Sequence, residues 1–199
     1  MKAFRCTCGQ PLFFDNTRCL ACGAEVAFDP FEQRLNALVA AGDGTWTMAG
    51  DTCVTPPRFR LCEHRTLAAA CNWLVPAHES HTTCLSCRLT RTIPDLSRPK
   101  NARRLADVEA AKRRVLFGLI SCGLPIVPRA DDARGLAFDL LEPLPDAPPV
   151  TTGHAGGLVT INVAEADDDY REMHRESLKE PYRTIIGHLR HELGHYYWD

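Results

Sequence analysis

The 199-residue sequence lacks any apolar run close to the roughly 18–20 residues that span a bilayer, so it predicts no membrane helix. No apolar stretch follows the charged start at residues 1–6, which argues against a secretory signal and predicts a cytoplasmic location. The sequence also lacks an excess of either positive or negative charge. Its 23 basic and 25 acidic residues leave a net charge of −2, so composition does not favour a generic nucleic-acid or membrane-surface binder.

The abundant residues are ten cysteines and eight histidines. Several cysteines stand very close together, as in the C-x-x-C pairs Cys19/Cys22 and Cys84/Cys87. Thiols at this spacing form poor structural disulfides with each other but can bind one metal ion together. In a reducing compartment this spacing favours zinc sites over a disulfide framework.

The first cysteine group predicts a small zinc ribbon over residues 1–28. Each half is a cysteine pair followed by a glycine, Gly9 or Gly23, and glycine tolerates the positive φ at the end of a zinc knuckle. Four thiolates close a tetrahedral shell without an open position, so we expect a structural site whose metal supplies folding energy. The predicted ligands are Cys6, Cys8, Cys19 and Cys22.

A second zinc site is predicted among the five cysteines of residues 45–98. The favoured ligands are Cys62, Cys71, Cys84 and Cys87. The first half is loosely spaced, so alternatives stay open. In these, Cys53 replaces Cys62 or Cys71, or one of His64, His78 and His81 enters the shell. Cys53 and Cys122 are otherwise interpreted as small buried apolar residues, as lone cysteines usually are.

Five further segments show local patterns. Asp29 and Pro30 resemble a helix start, and Phe31, Leu35, Leu38 and Val39 follow at helical spacing, which predicts a helix ending near Gly42. A long helix is predicted over 98–121, with its many Lys and Arg side chains on a solvated face. Strands are predicted at 135–141 and 157–164, and the acidic residues 165–169 as a solvated turn and helix start.

The last helix, predicted to open near Pro181, contains His191-Glu192-Leu193-Gly194-His195. Residues four apart share one face of a helix, so two imidazoles can bind one Zn²⁺. Glu192 lies beside the metal, where it can take a proton from zinc-bound water as that water attacks a carbonyl. The alternative is a His-rich exposed helix without metal.

A catalytic zinc requires three protein ligands, and the motif supplies only two. His188 and Asp199 lie on the same stripe, but a helix rises about 1.5 Å per residue, so ligands spread this far along it cannot all reach one ion. His154 or His174 could fold back, although no pattern favours either. We therefore expect that the chain lacks the C-terminal part that would provide the third ligand.

These motifs together resemble the bacterial zinc-binding metallopeptidases that carry an N-terminal zinc ribbon and are zincin-like. The matching segments, which run along nearly the whole sequence, are residues 6–9 with Cys19 and Cys22, residues 71–76 (Cys-Asn-Trp-Leu-Val-Pro), 84–90, 93–96, 158–166 with Asp167 and Asp168, and 191–199.

The resemblance implies an α+β fold in which a zincin-like half-domain, with helices packed on a small sheet, follows the two zinc modules. The expected domains are a ribbon at 1–28, a linker helix and second zinc module at 29–98, and the metallopeptidase domain at 99–199. By analogy, His191 and His195 bind zinc, Glu192 is the base, and the strand at 158–163 is the sheet edge that holds an extended substrate.

The function predicted on this basis is zinc-dependent hydrolysis of peptide bonds in a peptide or protein substrate. Three zinc ions are expected, two in Cys₄ sites and one catalytic. The ribbon could also bind a protein partner; membrane and nucleic-acid partners are not expected. The alternative function is a protein- or nucleic-acid-binding module whose histidine motif is a vestigial or regulatory metal site.

Overall fold

The computed structural model describes residues 3–178 and 184–198. The chain divides into two compact units, Met1–Leu85 and Ser86–Asp199. Both sheets and helices are present, which confirms the α+β class. Within the described residues, no helix combines the length and apolar character needed to cross a membrane. The three predicted domain ranges are not tested by this division and stay predictions.

Unit 1 begins with a two-stranded antiparallel hairpin, which carries the first cysteine group. It continues as a five-stranded antiparallel meander, in which each strand pairs with the next one in the chain. The hairpin strands are β1 (Phe4–Arg5) and β2 (Pro11–Leu12), and the meander strands are β3 (Val26–Asp29), β4 (Arg34–Ala40), β5 (Trp46–Met48), β6 (Phe59–Leu61) and β7 (Leu74–Pro76). A 3-10 helix, Glu63–Arg65, lies between β6 and β7.

The meander closes on itself where its first and last strands meet. Phe28 of β3 forms a parallel bridge with Trp73, which directly precedes β7. The Phe28 amide donates to the Asn72 carbonyl at 2.8 Å. Inside lie apolar side chains from all five strands, namely Ala27, Leu38, Met48, Phe59 and Leu74. Aromatic contacts join this core to the hairpin, because Phe28 packs against both Phe4 and Trp73.

The predicted helix beginning at Asp29 is wrong, because this segment forms the β3–β4 hairpin. Asp29 accepts hydrogen bonds from the amides of Phe31 (3.0 Å) and Glu32 (3.4 Å), as a turn aspartate does. Gln33, at φ 51°, completes the turn. The carboxyl group of Asp29 is almost fully buried, and this desolvation raises its pKa. The signals of a helix cap therefore mark a strand turn here.

Unit 2 contains a four-stranded sheet with the order β10-β11-β9-β8. Strands β8, β9 and β11 are parallel, whereas β10 pairs antiparallel with β11. Its elements, with a short helix at the boundary, are α1 (Leu85–Arg88), β8 (Thr90–Thr92), α2 (Asn101–Ser121), β9 (Ala137–Leu141), β10 (Gly153–Ala155), β11 (Leu158–Asn162), a 3-10 helix (Val163–Ala166), α3 (Asp168–Leu178) and α4 (Ile185–Trp198).

The predicted strand at 157–164 is present as β11, but its assignment as the sheet edge is wrong. β11 lies between β9 and β10, so both of its sides are paired. The edge strands are β8 and β10, and the sequence patterns did not indicate β10. Gly156 and Gly157, both at positive φ, form the tight turn that returns the chain from β10 to β11. The edge next to the last helix is thus a short hairpin strand containing His154.

Helix α2 matches the prediction for 98–121 and connects the parallel strands β8 and β9. Its apolar stripe is buried, with Leu105 at 3% exposure and both Val108 and Leu116 at 0%. The expectation that all its cationic side chains are solvated is wrong, since Lys112 and Arg113 are buried. Lys112 is accommodated by an ion pair with Glu109 at 2.7 Å, within the same buried helix face.

Candidate metal centres

The first cysteine group lies on two turns of similar form. In the first turn, the amide of Gly9 donates to the carbonyl of Cys6 at 2.9 Å; in the second, the amide of Gly23 donates to that of Cys19 at 2.9 Å. The φ angles are 89° at Gly9 and 73° at Gly23, in the region that favours glycine. The glycine pattern in the sequence therefore marks these two turns correctly.

These turns bring together the four sulfur atoms predicted as the ligands of the first site, with all their ligand atoms within 4.8 Å of one another. Sγ of Cys6 lies 3.7 Å from that of Cys22, and Sγ of Cys8 lies 3.7 Å from that of Cys19. A tetrahedral shell with Zn–S bonds of about 2.3 Å has sulfurs about 3.8 Å apart, whereas a disulfide bond is about 2.05 Å long. The donor set thus fits zinc in both chemistry and spacing.

The thiols of this cluster also influence one another's protonation. A hydrogen bond from the Cys22 amide lowers the pKa of the Cys19 thiol to about 6. The pKa of the Cys22 thiol is raised to about 12, because its contacts with the neighbouring thiols of Cys19 and Cys8 outweigh the lowering effect of the Ala24 amide. The metal-free cluster therefore retains protons that a divalent metal must displace, which makes metal affinity depend on pH.

The second cysteine group is fully buried. All the ligand atoms of its members lie within 4.8 Å of one another, and these members are the predicted Cys62, Cys71, Cys84 and Cys87. The sulfurs of Cys71 and Cys84 are 3.5 Å apart. Backbone amides point at two of the sulfurs, from Trp73 to Cys71 at 3.5 Å and from Cys84 to Cys62 at 3.4 Å. Such N–H···S contacts stabilise thiolates, so this group also fits a closed zinc site.

The alternatives for the second site are not brought into this cluster. Cys53, His78 and His81 are exposed, and neither these residues nor His64 belongs to the group of four sulfurs. Cys122 is also exposed, so the interpretation of Cys53 and Cys122 as buried apolar residues is wrong. All ten cysteines lie within residues 3–178, and none of these is in a disulfide. Zinc binding at either cluster stays a prediction.

Helix α4 carries the histidine motif, and its apolar side fixes its position. Ile185 (8% exposed), Leu189 (0%) and Leu193 (1%) are buried, and α4 packs against α2 through this side of unit 2. The predicted opening at Pro181 lies outside the described residues. His191 and His195 are exposed on another side of the helix. The period of the apolar positions therefore turns the two imidazoles away from the core.

The two imidazoles are placed for one ion. Nε2 of His191 is 3.1 Å from Nε2 of His195, and the two rings are nearly perpendicular at 83°. Two nitrogens bound to one zinc at about 2.0–2.1 Å in tetrahedral geometry are about 3.3 Å apart. Glu192, between them in sequence, is only 8% exposed. The pair fits two ligands of a zinc ion, with a buried carboxylate beside them.

No third ligand completes this pair within residues 3–178 and 184–198, where the two cysteine groups are the only sets of three or more candidate donors. His188 instead faces Glu165, at 3.6 Å between Nε2 and Oε2. The His174 ring stacks on Tyr170 with 4.1 Å between centroids. The His154 ring lies parallel to that of His195, but their centroids are 6.5 Å apart. Asp199 lies outside the described residues.

A cleft of about 650 Å³ opens beside the histidine pair in unit 2. Its wall is mostly polar and includes Thr151, Asn162, Glu165, His188, His191 and Glu192. Glu165 is only 3% exposed, so its interpretation as part of a solvated acidic turn is wrong. Asn162, also buried, donates to the Val150 carbonyl at 3.2 Å and to the Tyr170 hydroxyl at 3.0 Å. No local sequence signal marks Glu165 or Asn162, because distant segments bury them.

Two family models match the chain, one over the cysteine groups and one over the histidine motif. Residues 3–98 match the model of a zinc-ribbon domain. Residues 101–199 match the family described as "Putative zinc-binding metallo-peptidase". The two matches cover nearly the whole sequence and confirm the resemblance. Residues 101–199 are therefore similar to that family, and residues 3–98 are similar to a zinc-ribbon domain.

The chain is also similar to mycobacterial proteins of longer sequence. It is 41% identical over 200 residues to "Uncharacterized protein Rv2568c" of Mycobacterium tuberculosis (strain ATCC 25618 / H37Rv), and equally to "Uncharacterized protein Mb2598c" of Mycobacterium bovis. Each alignment covers 100% of this chain and 53% of the relative, so the chain spans about half the length of these proteins. No solved structure matches the chain significantly.

Proposed function

We propose that the described part of α4 belongs to the active site of a zinc-dependent peptidase. The observation that carries the proposal is the juxtaposition of the His191–His195 pair, at 3.1 Å between Nε2 atoms, with the cleft that the buried Glu192 lines. His191 and His195 would hold the zinc, together with a third ligand from outside the described residues. A bound zinc supplies Lewis-acid polarisation of a peptide carbonyl and a water of lowered pKa.

Glu192 is proposed as the general base. Its side chain occupies the cleft wall next to His191, and its 8% exposure keeps it near the site instead of in bulk solvent. A carboxylate in this position accepts a proton from the attacking water and then delivers it to the departing amine. The peptide bond between carbonyl carbon and nitrogen breaks, and the proton ends on the new amino group.

Strand β10 is proposed to align the substrate. It pairs with β11 on one side only, so its other edge can add an extended peptide through backbone hydrogen bonds. The ring of His154, in β10, faces that of His195 at an interplanar angle of 4°. A peptide along this edge would therefore run past the histidine pair. This role replaces the one expected for the strand at 158–163.

The first test is zinc stoichiometry by elemental analysis of the chain and of its His191→Ala/His195→Ala variant. A fall of one zinc ion per chain is expected if the pair holds metal. The matched control is His78→Ala/His81→Ala, two exposed histidines in unit 1, which should lose none. Equal zinc content in all three proteins would contradict zinc binding by the motif.

The second test is cleavage of a peptide substrate by the zinc-loaded protein. Glu192→Gln should keep the zinc and lower kcat at least about 100-fold, since general-base catalysis typically contributes that much. Glu172→Gln, on the exposed side of α3, is the matched control. Undiminished turnover by Glu192→Gln would refute the proposed base.

A protein-binding role for the zinc ribbon is the second candidate function. Two large apolar side chains project from it, Leu20 at 87% and Phe13 at 77% exposure, and Leu20 stands between the ligand candidates Cys19 and Cys22. Exposed apolar side chains of this size are common at protein interfaces. If the ribbon binds a partner, Phe13→Ser/Leu20→Ser should abolish capture of that partner while Glu192→Gln should not. Equal capture by the first variant would exclude the ribbon surface.

We also propose a reducing, cytoplasmic location. Its support is that eight of the ten cysteines form two groups suited to metal, which requires free thiols. Thiol labelling of the protein in intact bacterial cells, before and after permeabilisation, distinguishes this location from an exported one.

A further inference from the structure

The two cysteine groups have the same number of thiols but differ in their exposure to solvent. In the first group, Cys6 (4% exposed) and Cys19 (1%) are buried, whereas Cys8 and Cys22 are exposed. In the second group, no cysteine exceeds 4% exposure. Reactivity of a thiolate toward dissolved reagents follows its accessibility. The first group therefore contains two solvent-exposed cysteines and the second contains none.

Each exposed sulfur also has a buried partner on the opposite turn. Cys8 lies 3.7 Å from Cys19, and Cys22 lies 3.7 Å from Cys6, measured between Sγ atoms. Closing these gaps to a disulfide of about 2.05 Å requires less than about 2 Å of movement. When zinc holds all four sulfurs as thiolates, the arrangement pairs an exposed, reactive thiolate with a buried, resolving thiolate twice, once for each exposed cysteine.

We propose that Cys8 and Cys22 are oxidative modification sites for small hydroperoxides, and that their oxidation converts the first cysteine group into two disulfides between its turns. The expected pairs are Cys8–Cys19 and Cys6–Cys22. The second group stays reduced because its sulfurs are buried. This inference does not depend on the proposed peptidase activity.

The chemistry balances with one hydroperoxide for each disulfide. The Cys8 thiolate attacks one oxygen of hydrogen peroxide, the O–O bond breaks, and a sulfenic acid and hydroxide form. The Cys19 thiolate then attacks the sulfenic sulfur, the S–S bond forms, and a second hydroxide leaves. Two electrons pass from the two thiolates to the peroxide. The same steps join Cys22 to Cys6. Disulfide sulfurs are neutral, so the group then no longer holds zinc.

The disulfides would keep the ribbon turns joined after the metal is lost. Both bonds connect the turn that contains Cys6 and Cys8 to the turn that contains Cys19 and Cys22. The sulfurs of these two turns are already in contact in the first cysteine group. Phe4, in β1, can then keep its contact with Phe28 at 6.2 Å between ring centroids. A thiol reductant with added zinc would restore the original group, so the modification is reversible.

The test treats the zinc-loaded full chain with hydrogen peroxide and follows zinc release with a chromogenic chelator, against an untreated sample. Disulfides are then mapped by mass spectrometry. We expect one zinc ion per chain to be released by peroxide, at least about tenfold faster than any further zinc. The bonds Cys8–Cys19 and Cys6–Cys22 should form, while the second cysteine group should form no disulfide. Equal reaction of both groups, or resistance of the first, would overturn the proposal.

Two controls test whether the first cysteine group itself reacts with peroxide and whether burial protects the second group. The Cys53→Ser/Cys122→Ser variant lacks both exposed cysteines outside the groups and should release zinc as the original does. Slower release would instead assign the reaction to those thiols. In urea that unfolds the chain, both groups should oxidise at similar rates. Persistence of the difference there would contradict an origin in burial.

Discussion

The buried ion pair of α2 gives a prediction whose magnitude follows from the structure. Lys112 is fully buried, and its Nζ lies 2.7 Å from Oε1 of Glu109. Its ammonium also donates to the Thr90 hydroxyl and lies 5.3 Å from the ring centroid of Phe138. At an effective dielectric constant of about 20, the attraction across this distance is about 6 kcal/mol before desolvation is subtracted. The pair holds α2 against strands β8 and β9.

Removing one partner should cost much more than removing both. Lys112→Met leaves the Glu109 carboxylate buried without its counter-ion, which should reduce the free energy of unfolding by about 3–5 kcal/mol. The double variant Glu109→Leu/Lys112→Met removes both charges of the pair and should lose less than about 2 kcal/mol. The matched control is Arg175→Met. Arg175 also pairs with a glutamate three residues earlier, but 40% of its side chain is exposed, so its loss should cost under about 1 kcal/mol.

The assay is urea unfolding followed by circular dichroism, with equal m-values required for the comparison. The reasoning would be refuted if Lys112→Met cost no more than Arg175→Met. It would also fail if the loss of unfolding free energy in the double variant equalled the sum of the losses in Lys112→Met and Glu109→Leu made singly. The penalty would then come from packing and not from an unpaired charge.

Two further changes test an ion pair and a close backbone approach in unit 2. Hydrogen bonds from Arg104 lower the pKa of Asp167. The Asp167 carboxylate therefore stabilises the fold above its unfolded pKa of about 3.9, and this contribution is lost as the pH falls through the lower folded pKa. Asp167→Asn should remove this part of the acid dependence, so its melting temperature should change less between pH 6 and pH 3. Gly157 has φ 85°, and a Cβ added there would lie 2.5 Å from the Gly135 carbonyl oxygen, whereas a Cβ added at Gly156, with φ 52°, would meet no atom within 4 Å. Amide hydrogen exchange in β10 should therefore accelerate far more in Gly157→Ala than in Gly156→Ala. Equal exchange in the two variants would show that the hairpin does not depend on this close approach.

The sequence predicted features whose determinants are local. The knuckles around Gly9 and Gly23, the helix over 101–121 and the orientation of α4 all follow from spacing, glycine φ or an apolar period. The four sulfurs of the loosely spaced second cysteine group also come together, and their role as zinc ligands stays a prediction. Local pattern is sufficient here because the same few residues create both the signal and the geometry.

The features that were missed depend on segments distant in sequence. Residues 29–40 have helical spacing, but pairing of β4 with both β3 and β5 overrides that preference. The acidic sequence around Glu165 predicts a solvated side chain, but neighbouring elements bury this residue to 3% exposure. The short strand β10 has the sequence Gly-His-Ala, which carries no strand signal, yet it takes the edge position from β11.

The contrast between the metal centres has a physical basis in what each must do. A structural zinc needs four protein donors and no solvent, and the buried second cysteine group, with amides directed at its sulfurs, meets that need within residues 62–87. A catalytic zinc needs an open position beside a base. His191 and His195 are exposed and Glu192 is buried in the cleft wall, which is the arrangement that the proposed peptidase site requires.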